Sequence, residues 1–95
     1  MRFPNKVVLV SGGGSIGPSM SNGRASAIQF AREGARVVVV DRKMESAVET
    51  VEMIRKDGGE AMPLEANVLK DADVQRMVEA VVSAHGRIDV LFNNV

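Results

Sequence analysis

The sequence predicts an α/β fold, a doubly wound parallel sheet, and three observations carry that prediction. Two four-residue runs, Val7–Val10 and Val37–Val40, are continuously apolar rather than alternating, as in strands buried on both faces. A stretch rich in glycine and serine follows the first run and leads into a helical pattern. Each helical pattern stops at glycine, and another extended run begins within a few residues. The order reads β-α-β-α-β-α-β, and right-handed crossovers then make the strands parallel, with helices on both faces.

Taken in order, 1–6 is a polar lead-in with a turn at Pro4. Val7–Val10 is the first strand, and Gly12–Gly23 is a loop. Arg24–Glu33 reads as a helix, with Ser21 or Asn22 as its cap. Small Ala27 and Ala31, beside Ile28, suit close approach to a sheet, and Gly34 ends the helix. Arg36–Val40 is a second buried strand ending at Asp41. In the helix Glu45–Lys56, Met44, Ala47, Val48, Val51 and Ile54 form the inner stripe. Glu45, Glu49, Glu52, Arg55 and Lys56 form its solvated face. Glu60–Asn67 is a third strand, placed at an edge by Pro63. Asp71–His85 is a helix whose stripe is Val74, Met77, Val78, Val81, Val82 and His85, with Asp71 and Asp73 at the end where the dipole favours an anion. His85 reads as a packed or dipole-compensating residue. Arg87–Phe92 is the fourth strand, running into Asn93 and Asn94.

Composition narrows the function. The 95 residues form at most one domain; 45% are apolar and 25% charged, which is ordinary for a globular protein. Net charge is zero and no block of like charges stands out, so there is no footprint for nucleic acid or an anionic membrane. With no cysteine and one histidine, disulfides, thiolate metal sites, a cysteine nucleophile and a histidine metal cluster are excluded. No run approaches a membrane span or a secretory signal, which makes a cytoplasmic setting the expectation.

The chemistry lies in the glycine loop. A glycine-rich strand-to-helix turn presents unshielded backbone N–H groups, and the helix N-terminus adds about half a positive charge. Together they suit a pyrophosphate. In the dinucleotide version of this Rossmann-type unit, an acidic residue at the end of the second strand takes the ribose hydroxyls; Asp41 stands there, eighteen residues after Gly23. Two registers are open. Gly12-x-Gly14-x-x-Gly17 matches G-x-G-x-x-G literally and would start the helix at Pro18, through a poor helical run of Ser19, Ser21, Asn22 and Gly23. The preferred register starts it after Gly23 and makes Gly12–Asn22 a longer phosphate loop, with Gly12 and Gly14 still lining the site.

With these residues the chain resembles the N-terminal part of the short-chain dehydrogenase/reductase family, whose loop reads T-G-x-x-x-G-x-G. Ser11-Gly12 stands for the Thr-Gly, and Ser21-Asn22-Gly23-Arg24 for the later G-x-G and its following basic residue. The loop is longer than usual, and Ser21 replaces a glycine. Arg32–Arg42 resembles the family's first helix end and second strand, Asn67-Val68 its adenine-side pair, and Gly86–Val95 its G-x-[IVL]-D-x-L-x-N-N-[AV] signature.

The resemblance implies the cofactor-binding N-terminal portion of a single Rossmann domain, residues 1–95, holding about four strands and three helices of a larger fold. It implies an NAD(P)-dependent oxidoreductase interconverting an alcohol and a ketone. The cofactor-binding residues are Gly12, Gly14, Ser21, Asn22, Gly23, Asp41, Arg42, Asn67, Val68 and Asn94. Asn67 would offer a donor and an acceptor to the adenine edge, and Asn94 would lie under a cofactor ribose. Asp41 favours NAD, because its carboxylate repels a 2′-phosphate; Arg42 beside it leaves NADP open. The family's catalytic Ser, Tyr and Lys fall beyond Val95, and this sequence has no tyrosine, so the 95 residues alone are expected to be inactive. The full-length enzyme is expected to be a homo-oligomer acting on a small-molecule substrate. The other open reading is a non-catalytic nucleotide-binding or interaction module.

Overall fold

A computed structural model of the chain describes residues 5–11, 22–67 and 70–93. The elements run β1 (Val7–Ser11), α1 (Asn22–Arg32), β2 (Arg36–Asp41), α2 (Met44–Lys56), β3 (Glu60–Glu65), α3 (Asp71–His85) and β4 (Val90–Asn93). The strands form one parallel sheet in the order β3-β2-β1-β4. β1 and β2 are the inner strands, and Val7–Val10 and Val37–Val40 are all buried. Their unbroken apolar runs follow from that position: both faces of each strand are covered. β3, with Pro63 opposite Val39, lies at an edge, where a missing N–H is tolerated.

The two faces carry separate cores. On one, Val8, Val10, Val37 and Val39 meet α1 and α2 through Ala27, Ala31, Ala47, Val51 and Ile54. Close packing here depends on small residues. A Cβ added to Gly59 would lie 2.8 Å from Ile54 Cγ2 and 3.1 Å from Ala31 Cβ. On the other face, Val7, Leu9, Val38 and Val40 meet α3 through Met77 and Val81, with Val74 and Ile88 partly buried. α3 stops at Gly86, left-handed at φ 81°, whose N–H donates to Val82 C=O at 2.7 Å.

Five expectations need correction. α1 begins at Asn22 rather than Arg24, so Gly23 lies inside its first turn. Met44, expected on the inner stripe of α2, is exposed, while polar Ser46 and Thr50 are buried in its place. The stripe of α3 is only half covered: Met77 and Val81 are buried, but Val78 and Val82 are 38% and 43% exposed. β4 begins at Val90 rather than Arg87, and β3 ends at Glu65 rather than Asn67. The β4 start is set by Asp89. Its carboxylate accepts the Val7 N–H at 2.8 Å while its own N–H donates to Val7 C=O at 2.9 Å, so a side chain supplies one link before the backbone ladder starts at Val8–Val90.

Candidate functional site

Parallel register brings the carboxyl ends of the strands to one edge of the sheet. Ser11 lies opposite Val40 and Asn93, and Asp41 opposite Glu65. In open α/β sheets this edge is where ligands bind. Asp41 closes β2 there, half-buried. Its Oδ1 accepts the Lys43 N–H at 3.0 Å, and its C=O accepts the Ala66 N–H at 3.0 Å. The first bond holds the turn into α2 and fixes the carboxylate at the strand end; Arg42 is exposed in that turn.

Asn67 is half-buried just past β3. Its N–H donates to Asp73 Oδ2 at 2.9 Å, and its C=O accepts the Lys70 N–H at 3.0 Å. Asp73, placed by the sequence at the positive end of a helix, thus also ties the end of β3 to the first turn of α3. Gly23 is buried in the first turn of α1, and the backbone of Asn22 opens that helix. Gly12, Gly14, Ser21, Val68 and Asn94 lie outside the described residues.

Sequence reasoning missed two functional-looking residues. In sequence Arg24 reads as the basic residue after the loop glycines and the first of a helix, yet its side chain is fully buried. Its Nε donates to Thr50 Oγ1 at 2.8 Å, and its Nη2 to Glu49 Oε2 at 3.2 Å and to Ser46 C=O at 3.4 Å. The signal was present in α2: Ser46, Glu49 and Thr50 share one helical face. In sequence Asp89 is only the aspartate of the Gly86–Val95 signature. The Val7 N–H bond, helped by the neighbouring Arg87 and Lys6 charges, holds its carboxyl below the usual range despite partial desolvation.

A cavity of about 530 Å³ opens at the opposite end of the sheet, lined by Asn5, Gly34, Arg36, Asp57, Gly58 and Glu60. It is flanked by the ion pairs Arg32–Asp57 at 2.6 Å and Arg36–Glu60 at 2.9 Å. Lying at the amino ends of the strands, it is separate from the edge that holds Asp41 and Asn67. Among the described residues no group of three or more His, Cys, Asp or Glu side chains is placed to hold a metal, and no helix is long and apolar enough to cross a membrane.

Known proteins agree with this architecture. The chain is 44% identical over 95 residues to the short-chain dehydrogenase/reductase homolog YusS of Bacillus subtilis, covering 99% of this chain and 83% of that one. It is 37% identical over 93 residues to the cyclohexanol dehydrogenase of an Acinetobacter species, covering 98% of this chain and 35% of that enzyme. A solved structure described as a short-chain dehydrogenase/reductase from Burkholderia xenovorans superposes with a TM-score of 0.95 at 47% identity, over 99% of this chain and 36% of the other. The chain thus spans most of the Bacillus homolog and about a third of the other two. The family model for short chain dehydrogenases matches residues 6–95. A parallel 3-2-1-4 sheet, an acidic residue closing β2 and a family match along almost the whole length have one meaning: this chain belongs to the short-chain dehydrogenase family.

Proposed function

We propose that the chain forms the adenosine and pyrophosphate half of a nicotinamide-dinucleotide site, in an oxidoreductase that interconverts an alcohol and a ketone. The observation that carries this is Asp41, fixed at the carboxyl end of β2 by the Lys43 N–H, at the same edge of the sheet as the close of β1. In this reading α1 directs its N–H groups and dipole at the phosphates. Gly23 lets the backbone approach them, Gly12, Gly14, Ser21 and Asn22 complete the cradle, Asp41 accepts the adenosine ribose hydroxyls, and Arg42 lies against the adenine side. Asn67 and Val68 border the adenine, and Asn94 lies under a ribose. The relative named for cyclohexanol supports a secondary alcohol as the substrate class.

The bound dinucleotide would supply or accept hydride; the residues here bind and orient it. Proton transfer at the reacting oxygen needs a group that these 95 residues do not offer by the family pattern, since tyrosine is absent, and the chain by itself is expected to bind without turnover. The proposed setting is the cytoplasm, and the proposed full-length state is a homo-oligomer.

Titration with NADH, followed by cofactor fluorescence, tests the reading: saturable enhancement supports it, and a flat response sinks it. Asp41→Ala should weaken NAD by about tenfold and NADP by less, as expected for loss of a charge-assisted hydrogen bond. Equal losses for the two would remove the NAD preference. A non-catalytic interaction module is the second reading, and the observation in its favour is the exposed apolar surface of Val78, Val82 and Leu91.

A further inference from the structure

We infer that Arg24 is a positioning residue that sets the spacing between the phosphate half and the ribose half of the nucleotide site. The inference rests on the dinucleotide reading. Arg24 sits in the first turn of α1, beside Gly23, where the phosphates would meet the helix. Its side chain is fully buried and engages α2. A buried guanidinium is tolerated only when its donors are matched. Here Thr50 donates its own hydroxyl back to Ser46 C=O at 3.4 Å, which leaves its lone pairs to accept Arg24 Nε. Glu49, with a side chain 43% exposed, supplies the countercharge from the rim of the contact.

The hydrogen bonds continue from there to the ribose-binding carboxylate. Arg24 Nη2 donates to Ser46 C=O; the Ser46 N–H donates to Lys43 C=O at 3.1 Å; the Lys43 N–H donates to Asp41 Oδ1 at 3.0 Å. One unbroken chain of bonds therefore runs from the start of α1 through the first turn of α2 to the end of β2. A ligand that touches both ends gains from their fixed separation, because the second contact costs little once the first is made. A ligand that touches only one end gains nothing from it. An arginine suits the role because its planar fork reaches several acceptors at once, whereas a lysine offers a single point charge.

The test compares ADP, which carries the ribose and the diphosphate, with adenosine, which lacks the phosphates. Affinities of the 95-residue chain are measured by calorimetry for ADP and by ligand-observed NMR for adenosine. Thr50→Val keeps the side-chain volume and removes the acceptor for Nε. It should lower ADP affinity about five- to tenfold and adenosine affinity less than about twofold, the pattern expected when preorganisation is lost. Thr50→Ser restores the hydroxyl and should restore the wild-type ratio. Arg24→Lys should behave like Thr50→Val, and the two Thr50 variants decide the matter if it does not fold. Loss of stability lowers the competent fraction equally for both ligands, so a purely structural role leaves their affinity ratio unchanged. An unchanged ratio in Thr50→Val, with ADP still bound by the wild type, overturns the positioning role alone. Failure of the unmodified chain to bind ADP overturns the dinucleotide reading, and the positioning role with it.

Discussion

The two faces of the sheet are built differently. One is covered by two helices, α1 and α2, which pack on each other and on the inner strands through alanine, valine and isoleucine. Even the polar groups trapped between them, Arg24, Ser46 and Thr50, are buried and hydrogen-bonded. The other face carries only α3 among the described residues, and its cover is partial. Leu91 lies opposite Leu9, a member of the α3-side core, so it projects to that face, and it is 61% exposed. Val78 and Val82 on α3 are exposed as well. Amphipathic elements thus meet two fates. Where a second helix is present the stripe is covered along most of its length, with Met44 at its start left exposed, and where it is absent only the centre of the stripe is used.

That contrast predicts unequal responses to mutation. The largest belongs to the two-helix face. Ile54→Ala there should cost about 2–5 kcal/mol by urea denaturation, since the site has little room to collapse. A loss under about 1 kcal/mol, the ordinary outcome for a loosely packed position, would show that this face is not the tighter one. Gly59→Ala comes next. Its new methyl would sit 2.8 Å from Ile54 Cγ2, so overpacking should cost about 1–3 kcal/mol. Combined with Ile54→Ala, which removes the Cγ2 methyl that the new group would meet, the loss should be smaller than the sum of the two single losses.

A smaller effect belongs to the seam between β1 and β4. The carboxyl of Asp89 titrates below its ordinary 3.8 because the charged form accepts the Val7 N–H and pairs with Arg87. A depressed carboxyl stabilises the fold above the unfolded-state pKa, and the contribution disappears as pH falls through the folded-state value. The urea midpoint should therefore fall on acidification below the ordinary carboxylate range. In Asp89→Asn that part of the fall should be missing, and the midpoint at neutral pH should already be lower. Parallel pH profiles for the two proteins would mean that the carboxylate does not hold the seam.

The same contrast explains what was legible in the sequence. Period and punctuation were enough for the order of elements, the parallel sheet and the edge position of β3, because continuous apolar runs, glycine stops and Pro63 are local signals; the strand order 3-2-1-4 is a fact of the structure. The inward turn of Arg24 was not legible. Ser46, Glu49 and Thr50 look like a solvated helix face until α1 is laid against α2, and that juxtaposition is a tertiary fact. The late start of β4 was hidden for a similar reason: an aspartate in an apolar run looks like an interruption, not a partner for a distant N–H. At the candidate site, the positions of Asp41 and Asn67 at the carboxyl edge follow from strand boundaries, which periodicity gives to within a residue or two. Their hydrogen bonds to Lys43 and Asp73 depend on turn geometry that no periodicity encodes.

The smallest effect separates the faces most sharply. Val82→Ser, on the exposed flank of α3, should change stability by less than about 0.5 kcal/mol, as surface substitutions do. Val81→Ser, one residue away but buried at 0% exposure, should cost several times more, because a hydroxyl would replace a methyl in the core. The pair holds helix propensity nearly constant and varies only cover. The comparison also reaches beyond the isolated chain. If the open surface is covered by another protein or by a second copy, Val82→Ser becomes costly only where that association occurs, and its effect on the denaturation midpoint then grows with protein concentration. A concentration-independent, near-zero effect means that the flank faces solvent; a rising one means that the face bearing α3 is completed by a second surface.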